Sequence, residues 1–288
     1  MSSARAKKRI ALATILVAAA SAVAVWLNIA QRLRAGSAAV TDCFHCPVSA
    51  RVKDAGKALV LDPQTLDLLR YQPTIIGGRN VFPDEFPAVG ALFLDNHFHC
   101  TGTLVRPTVV LTAAHCVCEG RTTTPIAGTR FTFALGSDAT SLPAVHFAGT
   151  ATQFPTGFPE KDYRYDPTTY ADDIALVYLH DPVKNTTTAT LASADPPLPA
   201  YYRYVGYGRV QADQDTTGIE TTALLQTWRL NTRRFAHGDQ VRSICLGDSG
   251  GPAFDKSTIV AVTSTTVTCQ GGESTSIAAM HGWLTPRL

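Results

Sequence analysis

The sequence lacks a surplus of either charge. Its 25 Lys and Arg stand against 23 Asp and Glu, a formal net charge of +2. That balance gives no reason to propose nucleic acid or an acidic polymer as partner. There is no internal repeat and no low-complexity tract, which sets aside repeat architectures. Helix-period apolar stripes are scarce beyond the N-terminus, while threonine is abundant. Both lean toward a β-rich fold.

What is present is a globular composition, 45 % hydrophobic and 17 % charged. The 288 residues suffice for one large all-β domain or two smaller lobes with a buried core. The first 30 residues stand apart. Arg5, Lys7, Lys8 and Arg9 precede an uncharged stretch over 10–30. A secretory signal peptide has this charge pattern, and Ala20-Ser21-Ala22 offers a small-x-small cleavage site. The stretch is also long enough for a signal anchor. Either reading puts the rest of the chain outside the cytoplasm, where disulfides persist. Membrane attachment is expected only if residues 10–30 stay in place.

Residues 31–74 read as a separate segment opened by Cys43-Phe44-His45-Cys46, with a short helix beginning near Asp62 and Pro63. From Ile75 the texture changes to short strand-like runs between turn residues, at 88–94, 103–105, 109–112, 130–135, 174–179, 202–205, 224–230 and 258–264. Many short strands without helices between them suggest antiparallel barrels or sandwiches. The proline-rich stretch 194–200 reads as an inter-lobe linker.

Four motifs occur in order: Ile75-Ile76-Gly77-Gly78, Thr112-Ala113-Ala114-His115-Cys116, Asp173-Ile174-Ala175-Leu176 and Gly247-Asp248-Ser249-Gly250-Gly251-Pro252. The glycines of the last allow backbone N–H groups to surround an exposed hydroxyl. Together the motifs make residues 75–288 resemble the trypsin/chymotrypsin family of serine proteases. The resemblance implies two antiparallel Greek-key β-barrels with a C-terminal helix, preceded here by an apolar N-terminal helix. The first barrel is expected over about 75–193 and the second over about 201–288.

The same resemblance assigns roles. Ser249 is the nucleophile, His115 the general base and then acid, and Asp173 the group that fixes the His115 tautomer. Asp173, rather than Asp172, directly precedes Ile-Ala-Leu. The backbone N–H groups of Gly247 and Ser249 form the oxyanion hole. Disulfides Cys100–Cys116 and Cys245–Cys269 are implied. Cys43, Cys46 and Cys118 remain. Cys43 and Cys46 can pair with each other, or one of them can bridge to Cys118. No fourth ligand for a metal is evident, and neither a metal nor a cofactor is expected.

Family members are activated by a cut before the Ile-x-Gly-Gly motif, after which the new ammonium pairs with the Asp beside the nucleophile. Here those groups are Ile75 and Asp248, with 31–74 as pro-segment or stem. Thr74 stands where trypsin-activated members have Arg or Lys, so an activating protease of other specificity, autocatalysis, or an unprocessed enzyme all remain open. For substrate binding the resemblance points to Ser243 at the pocket base, Ser264 and Thr266 along the substrate, and Gly272 on the far wall. A neutral Ser243 argues for uncharged, small to medium P1 side chains. Glu273, if turned into the pocket, would restore a basic P1. Protein or peptide substrates are the expected partners. The competing class is an inactive binding module at the cell surface.

His97 and His99 alternate on a strand and read chiefly as packing or surface residues. Tyr201, Tyr202, Tyr204 and Tyr207 read as packing around the strand that leads to Gly206-Tyr207-Gly208. Asn185-Thr186-Thr187 fits a glycosylation acceptor. Trp283 belongs to the expected C-terminal helix.

Overall fold

The computed structural model describes residues 75–119, 123–141, 145–156, 158, 172–210, 217–239, 241–266 and 268–288. The expectations for residues 1–74, including leader, pro-segment and the Cys43 and Cys46 pairings, lie outside the described residues.

Six strands close the first barrel: β2 (Val89–Leu94), β3 (His97–Arg106), β4 (Val109–Thr112), β5 (Phe131–Leu135), β6 (Val145–Gln153) and β7 (Ala175–Leu179). They run around it in the order β2-β3-β4-β7-β6-β5, all antiparallel. Asp95 and Asn96 join β2 to β3 with φ of 49° and 65°. Two left-handed residues give the hairpin turn whose twist matches the strands, and Asp and Asn tolerate that region best among non-glycines.

The second ring comprises β9 (Ala200–Gly206), β10 (Thr221–Arg229), β11 (Arg234–His237), β12 (Pro252–Asp255), β13 (Thr258–Thr266) and β14 (Gly272–Ser276). Its order is β9-β10-β11-β14-β13-β12, and pairing of β12 with β9 closes it. Two short strands earlier in the chain also join this sheet. β1 (Arg79–Asn80) pairs with β10, and β8 (Thr190–Leu191) pairs parallel to β13. Both ends of the stretch expected for the first barrel therefore attach to the second. The segment between β8 and β9 carries the expected prolines, and Tyr202 donates its hydroxyl to the Pro197 carbonyl at 2.6 Å.

Strand alternation decides which side chains fill each barrel. In β10, Leu225 and Thr227 are buried while Leu224, Gln226 and Trp228 face out. Phe131, Phe133, Leu92, Leu104 and Leu176 pack the first barrel and Tyr204, Phe235 and Ile259 the second. Tyr202 and Tyr204 are buried and Tyr201 is exposed, as period-two alternation requires, and Tyr207, just past the end of β9, is buried as well. The chain closes with α1 (Ile277–Leu284), capped by the Ser276 hydroxyl accepting from the Ala279 amide at 3.2 Å. Ile277, Met280 and Leu284 are its buried face, and Trp283 packs partly buried against the core.

Candidate active site

The site lies where the two barrels meet. β4 ends at Thr112, and the chain turns through one 3-10 turn at Ala114–Cys116 that carries His115. The Cys100–Cys116 disulfide, S–S 1.99 Å, ties this turn to β3. Asp173 precedes β7 and is fully buried. Its carboxylate grips His115 at two points. Oδ1 accepts the His115 backbone N–H at 2.9 Å, and Oδ2 faces Nδ1 at 2.7 Å. An ionised carboxylate only accepts, so Nδ1 carries the proton and Nε2 keeps its lone pair. Oδ2 also accepts from the Ser264 hydroxyl at 2.5 Å, and the Asp173 carbonyl accepts from Thr275 Oγ1 at 3.1 Å.

Burial alone would lower the His115 pKa, but the charge of Asp173 and its hydrogen bond outweigh that and hold the imidazole above its ordinary 6.5. For Asp173, burial works to raise the pKa. The His115 charge, the bonds to the His115 ring and backbone and the Ser264 hydroxyl together hold it below the ordinary 3.8.

Ser249 sits in the loop between Cys245 and β12. Its hydroxyl donates to the Ser264 carbonyl at 3.3 Å, and it makes no hydrogen bond to His115 in this conformation. Two glycines shape the loop. Gly247 has φ +97°, and Gly250 has φ +82°. A Cβ on Gly250 would stand 2.1 Å from Thr112 Oγ1 and 2.3 Å from the Thr101 carbonyl. No side chain fits there. Among the described residues the amides of Gly247 and Ser249 have no protein acceptor.

Asp248 is buried beside them. It accepts the amides of Gly208 at 2.8 Å and Cys245 at 2.7 Å, with no cation paired to it among the described residues. Burial pushes its carboxyl up to about 7 against the pull of those two amides. Ile75 is fully buried with φ +44°, a costly conformation for a β-branched residue. Its neighbour Ile76 accepts the Ser243 amide at 3.0 Å, docking the segment on the loop before Cys245.

Ser243, Thr266 and Gly272 converge around the second disulfide, Cys245–Cys269. Ser243 Oγ accepts the Gly271 amide at 2.7 Å and donates to the Ile244 carbonyl at 2.9 Å. Thr266 Oγ1 donates to the Gly271 carbonyl at 2.6 Å. A Cβ on Gly272 would meet His237 Cε1 and Ile244 Cγ1, each at 2.9 Å. Glu273, the next residue, points to the other face of β14 and pairs with Arg234. Asp172 accepts from Arg233 and takes no part in holding His115. Cys118 is buried outside both disulfides, its sulfur 3.7 Å from the His115 carbonyl oxygen.

One contributor, Thr101, was not singled out from sequence. Thr101 joins the barrels: its N–H donates to the Ser249 carbonyl at 2.9 Å and its hydroxyl to the Gly247 carbonyl at 2.9 Å. The same hydroxyl accepts the Tyr207 amide at 3.0 Å. Its place beside Cys100 was the available signal. His99 pairs through Nε2 with the Cys116 carbonyl at 2.9 Å, and His97 Nδ1 with the Asp95 carbonyl at 2.9 Å. The two histidines have separate partners, because a bulge in the β2–β3 pairing falls between them. Cys100, His115 and Cys116 cluster closely, but both sulfurs are spent in a disulfide and cannot bind metal as thiolates.

Two closed antiparallel barrels with the chemistry at their seam define a chymotrypsin-like fold. It is similar to neuropsin from mouse brain, with a TM-score of 0.60 and 21% identity over 73% of this chain and 98% of that one. It is also similar to a mutant of human heparin binding protein, with a TM-score of 0.62 and 20% identity over 74% and 96%. The Trypsin family model matches residues 75–284, and the chain belongs to the trypsin family of serine proteases. Chymotrypsin-C of Mus musculus is 29% identical over 202 residues, 62% of this chain and 71% of the relative. A glandular kallikrein of Sus scrofa is 27% identical over 211 residues, covering 63% and 80%.

Proposed function

We propose that the protein is an exported serine endopeptidase that works through Ser249, His115 and Asp173. The observation that carries this reading is the double grip of Asp173 on His115, which leaves Nε2 as a base at the barrel seam beside the Ser249 loop. Rotation of the Ser249 side chain away from the Ser264 carbonyl presents its hydroxyl to Nε2. Oγ attacks the scissile carbonyl and its proton passes to Nε2. The amides of Gly247 and Ser249, without an acceptor among the described residues, receive the developing oxyanion. The imidazolium then protonates the leaving amine. Water, activated by the same His115, hydrolyses the acyl-enzyme.

Activation is by a cut before Ile75. Among the described residues Asp248 is buried without a cation, and Ile75 is held in a left-handed conformation. Hydrolysis of the bond after Thr74 abolishes that φ restraint and supplies an ammonium for Asp248. For P1 we infer an uncharged, small to medium side chain. Ser243 brings no charge, Ile244 and His237 crowd the wall at Gly272, and Glu273 is engaged by Arg234. The two disulfides favour an extracellular location. The test is labelling by a fluorophosphonate. Ser249 is expected to react in the processed protein and to lose reactivity in His115→Ala. Absence of labelling in correctly processed protein would make it a binding module instead.

A further inference from the structure

His237 is fully buried, and neither of its ring nitrogens has a hydrogen-bond partner among the described residues. Strand register places it. It stands opposite Thr227 of β10 on one side and Gly272 of β14 on the other, and opposed residues point to the same side of a sheet. Thr227 is a buried residue of β10, so His237 points into the barrel with it. Tyr204 packs on the ring with centroids 4.3 Å apart. Burial alone acts on the imidazole, pushing its pKa down to about 3, so the ring is neutral. A neutral imidazole carries one N–H donor and one acceptor nitrogen. Buried polar atoms left unmet cost stability, which a ligand that pairs with them returns.

The ring lies at the pocket proposed for the P1 side chain. A Cβ on Gly272 would stand 2.9 Å from His237 Cε1, the carbon between the two nitrogens, and 2.7 Å from the Thr265 carbonyl oxygen. The polar edge of the imidazole and a backbone acceptor therefore border the space that the glycine leaves open. The hydroxyls expected to line this pocket are spent. Ser243 Oγ accepts from the Gly271 amide and donates to the Ile244 carbonyl, and Thr266 Oγ1 donates to the Gly271 carbonyl. Ile244, also 2.9 Å from the Gly272 Cβ position, is apolar. His237 thus brings an unspent N–H to this wall, and no charge.

We propose that His237 reads the P1 side chain and selects a primary carboxamide, glutamine or asparagine. The inference rests on the peptidase reading and deepens it. The carboxamide oxygen accepts the imidazole N–H, and the carboxamide nitrogen donates to the Thr265 carbonyl oxygen. A carboxylate at P1 has no donor for that carbonyl and meets no cation. An ammonium meets no anion, because Glu273 points to the other face of β14 and pairs with Arg234. An apolar side chain of the same size leaves the imidazole N–H unmet.

The experiment uses the processed native enzyme and chromogenic tetrapeptide anilides that differ only at P1. They carry Gln or Asn, the apolar isosteres Met or Leu, and the charged Glu or Lys. At least one carboxamide is expected to exceed its isostere in kcat/KM by about tenfold or more, and to exceed Glu and Lys by at least as much. In His237→Phe, which keeps a ring against Tyr204, the carboxamide-to-isostere ratio should fall below about twofold. Isosteres cleaved as well as both carboxamides, or a native preference for Glu or Lys, overturn the proposal. So does an unaltered ratio in a His237→Phe variant that melts cooperatively. A second arm needs neither turnover nor a change at His237. In processed Ser249→Ala, an acetylated tetrapeptide ending in the preferred carboxamide residue, or in Gln and Asn in turn if nothing is cleaved, should move the assigned imidazole nitrogen NMR resonances of His237. The peptide ending in the apolar isostere should not. Equal responses to the two peptides, or no response to either at saturation, overturn the proposal. A response to the carboxamide peptide, without hydrolysis of any anilide by the processed native chain, preserves the site and removes the peptidase reading.

Discussion

The Ser264 hydroxyl donates to Asp173 at Oδ2, the same carboxylate oxygen that faces His115 Nδ1. One oxygen therefore serves two donors, and the direction of the carboxylate is fixed from both sides. Ser264 was expected along the substrate, and its side chain is turned to the acid.

Ser264→Ala should lower kcat by roughly tenfold, since a hydrogen bond to a charged group contributes about 1.5–3 kcal/mol. KM for small ester substrates should stay near the native value, because the Ser264 carbonyl is untouched. Ser264→Thr should restore most of the loss. Steady-state kinetics on the processed enzyme measures all three, and a kcat equal to native in the alanine variant would remove the positioning role.

The pH dependence has a definite sign. The proposed mechanism needs neutral His115, whose pKa is held above 6.5 by Asp173, so kcat/KM should rise through a midpoint above 6.5. Asp173→Asn should move that midpoint to lower pH and reduce kcat by roughly 10⁴. The stability that the pair supplies follows linkage. The His115 part is complete below 6.5 and is lost as pH rises through its elevated value, and the Asp173 part is complete above 3.8 and is lost as pH falls through its depressed one.

Asp248 gives a test of activation by stability alone. Its carboxyl is pushed from 3.8 to about 7, so its contribution is greatest below 3.8 and is lost as pH rises through about 7. In an intact Ser249→Ala background, Asp248→Asn should therefore stabilise the protein at pH 8, by up to about 4 kcal/mol. After cleavage before Ile75 the order should reverse, because the new ammonium requires the carboxylate. Denaturant melts of both forms at pH 8 decide it, and an Asn variant that is more stable in both would rule out the pairing.

Removing the Cys100–Cys116 bridge by double substitution to Ala should cost about 3 kcal/mol on the chain-entropy model for a 16-residue separation. Activity should fall at temperatures well below unfolding, because the turn that carries His115 loses its tether. Urea midpoints, compared with the inactivation temperature, separate the two effects.

Glu220 is 5% exposed, with burial, then repulsion from Glu85, pushing its carboxyl up to about 9. It is therefore neutral at pH 7, and Glu220→Gln, which exchanges one uncharged group for another of the same shape, should change stability there far less than it does at pH 10. Its contribution is complete below 4.5 and is lost as pH rises through about 9, so the Gln variant should be the more stable one at pH 10. Thermal melts across that range check it.

Much of the fold was legible because alternation and turn chemistry are local. Strand β4 falls at 109–112 as read from Val-Val-Leu-Thr, and the runs at 88–94 and 130–135 differ from β2 and β5 by one residue at the start. The disulfides followed from the resemblance and are present. What stayed hidden is non-local. Nothing near Ser264 in sequence announces that its hydroxyl reaches Asp173, 91 residues earlier. The facing of His237 and Gly272 needs strand register, which no single strand carries. The attachment of β1 and β8 to the second barrel is equally a matter of pairing, since each is only two residues long. His97 and His99 followed simple alternation in sequence, and a bulge broke it.

Thr101 has a consequence for how the protein fails. Through its backbone and its hydroxyl, a strand of the first barrel holds the Ser249 loop and the Tyr207 amide of the second. Neither half can melt ahead of the other without tearing that stitch and dissolving the Ser249 loop with it. Heating should therefore produce one cooperative transition for the whole two-barrel unit, with catalytic competence vanishing at the same temperature as tertiary structure.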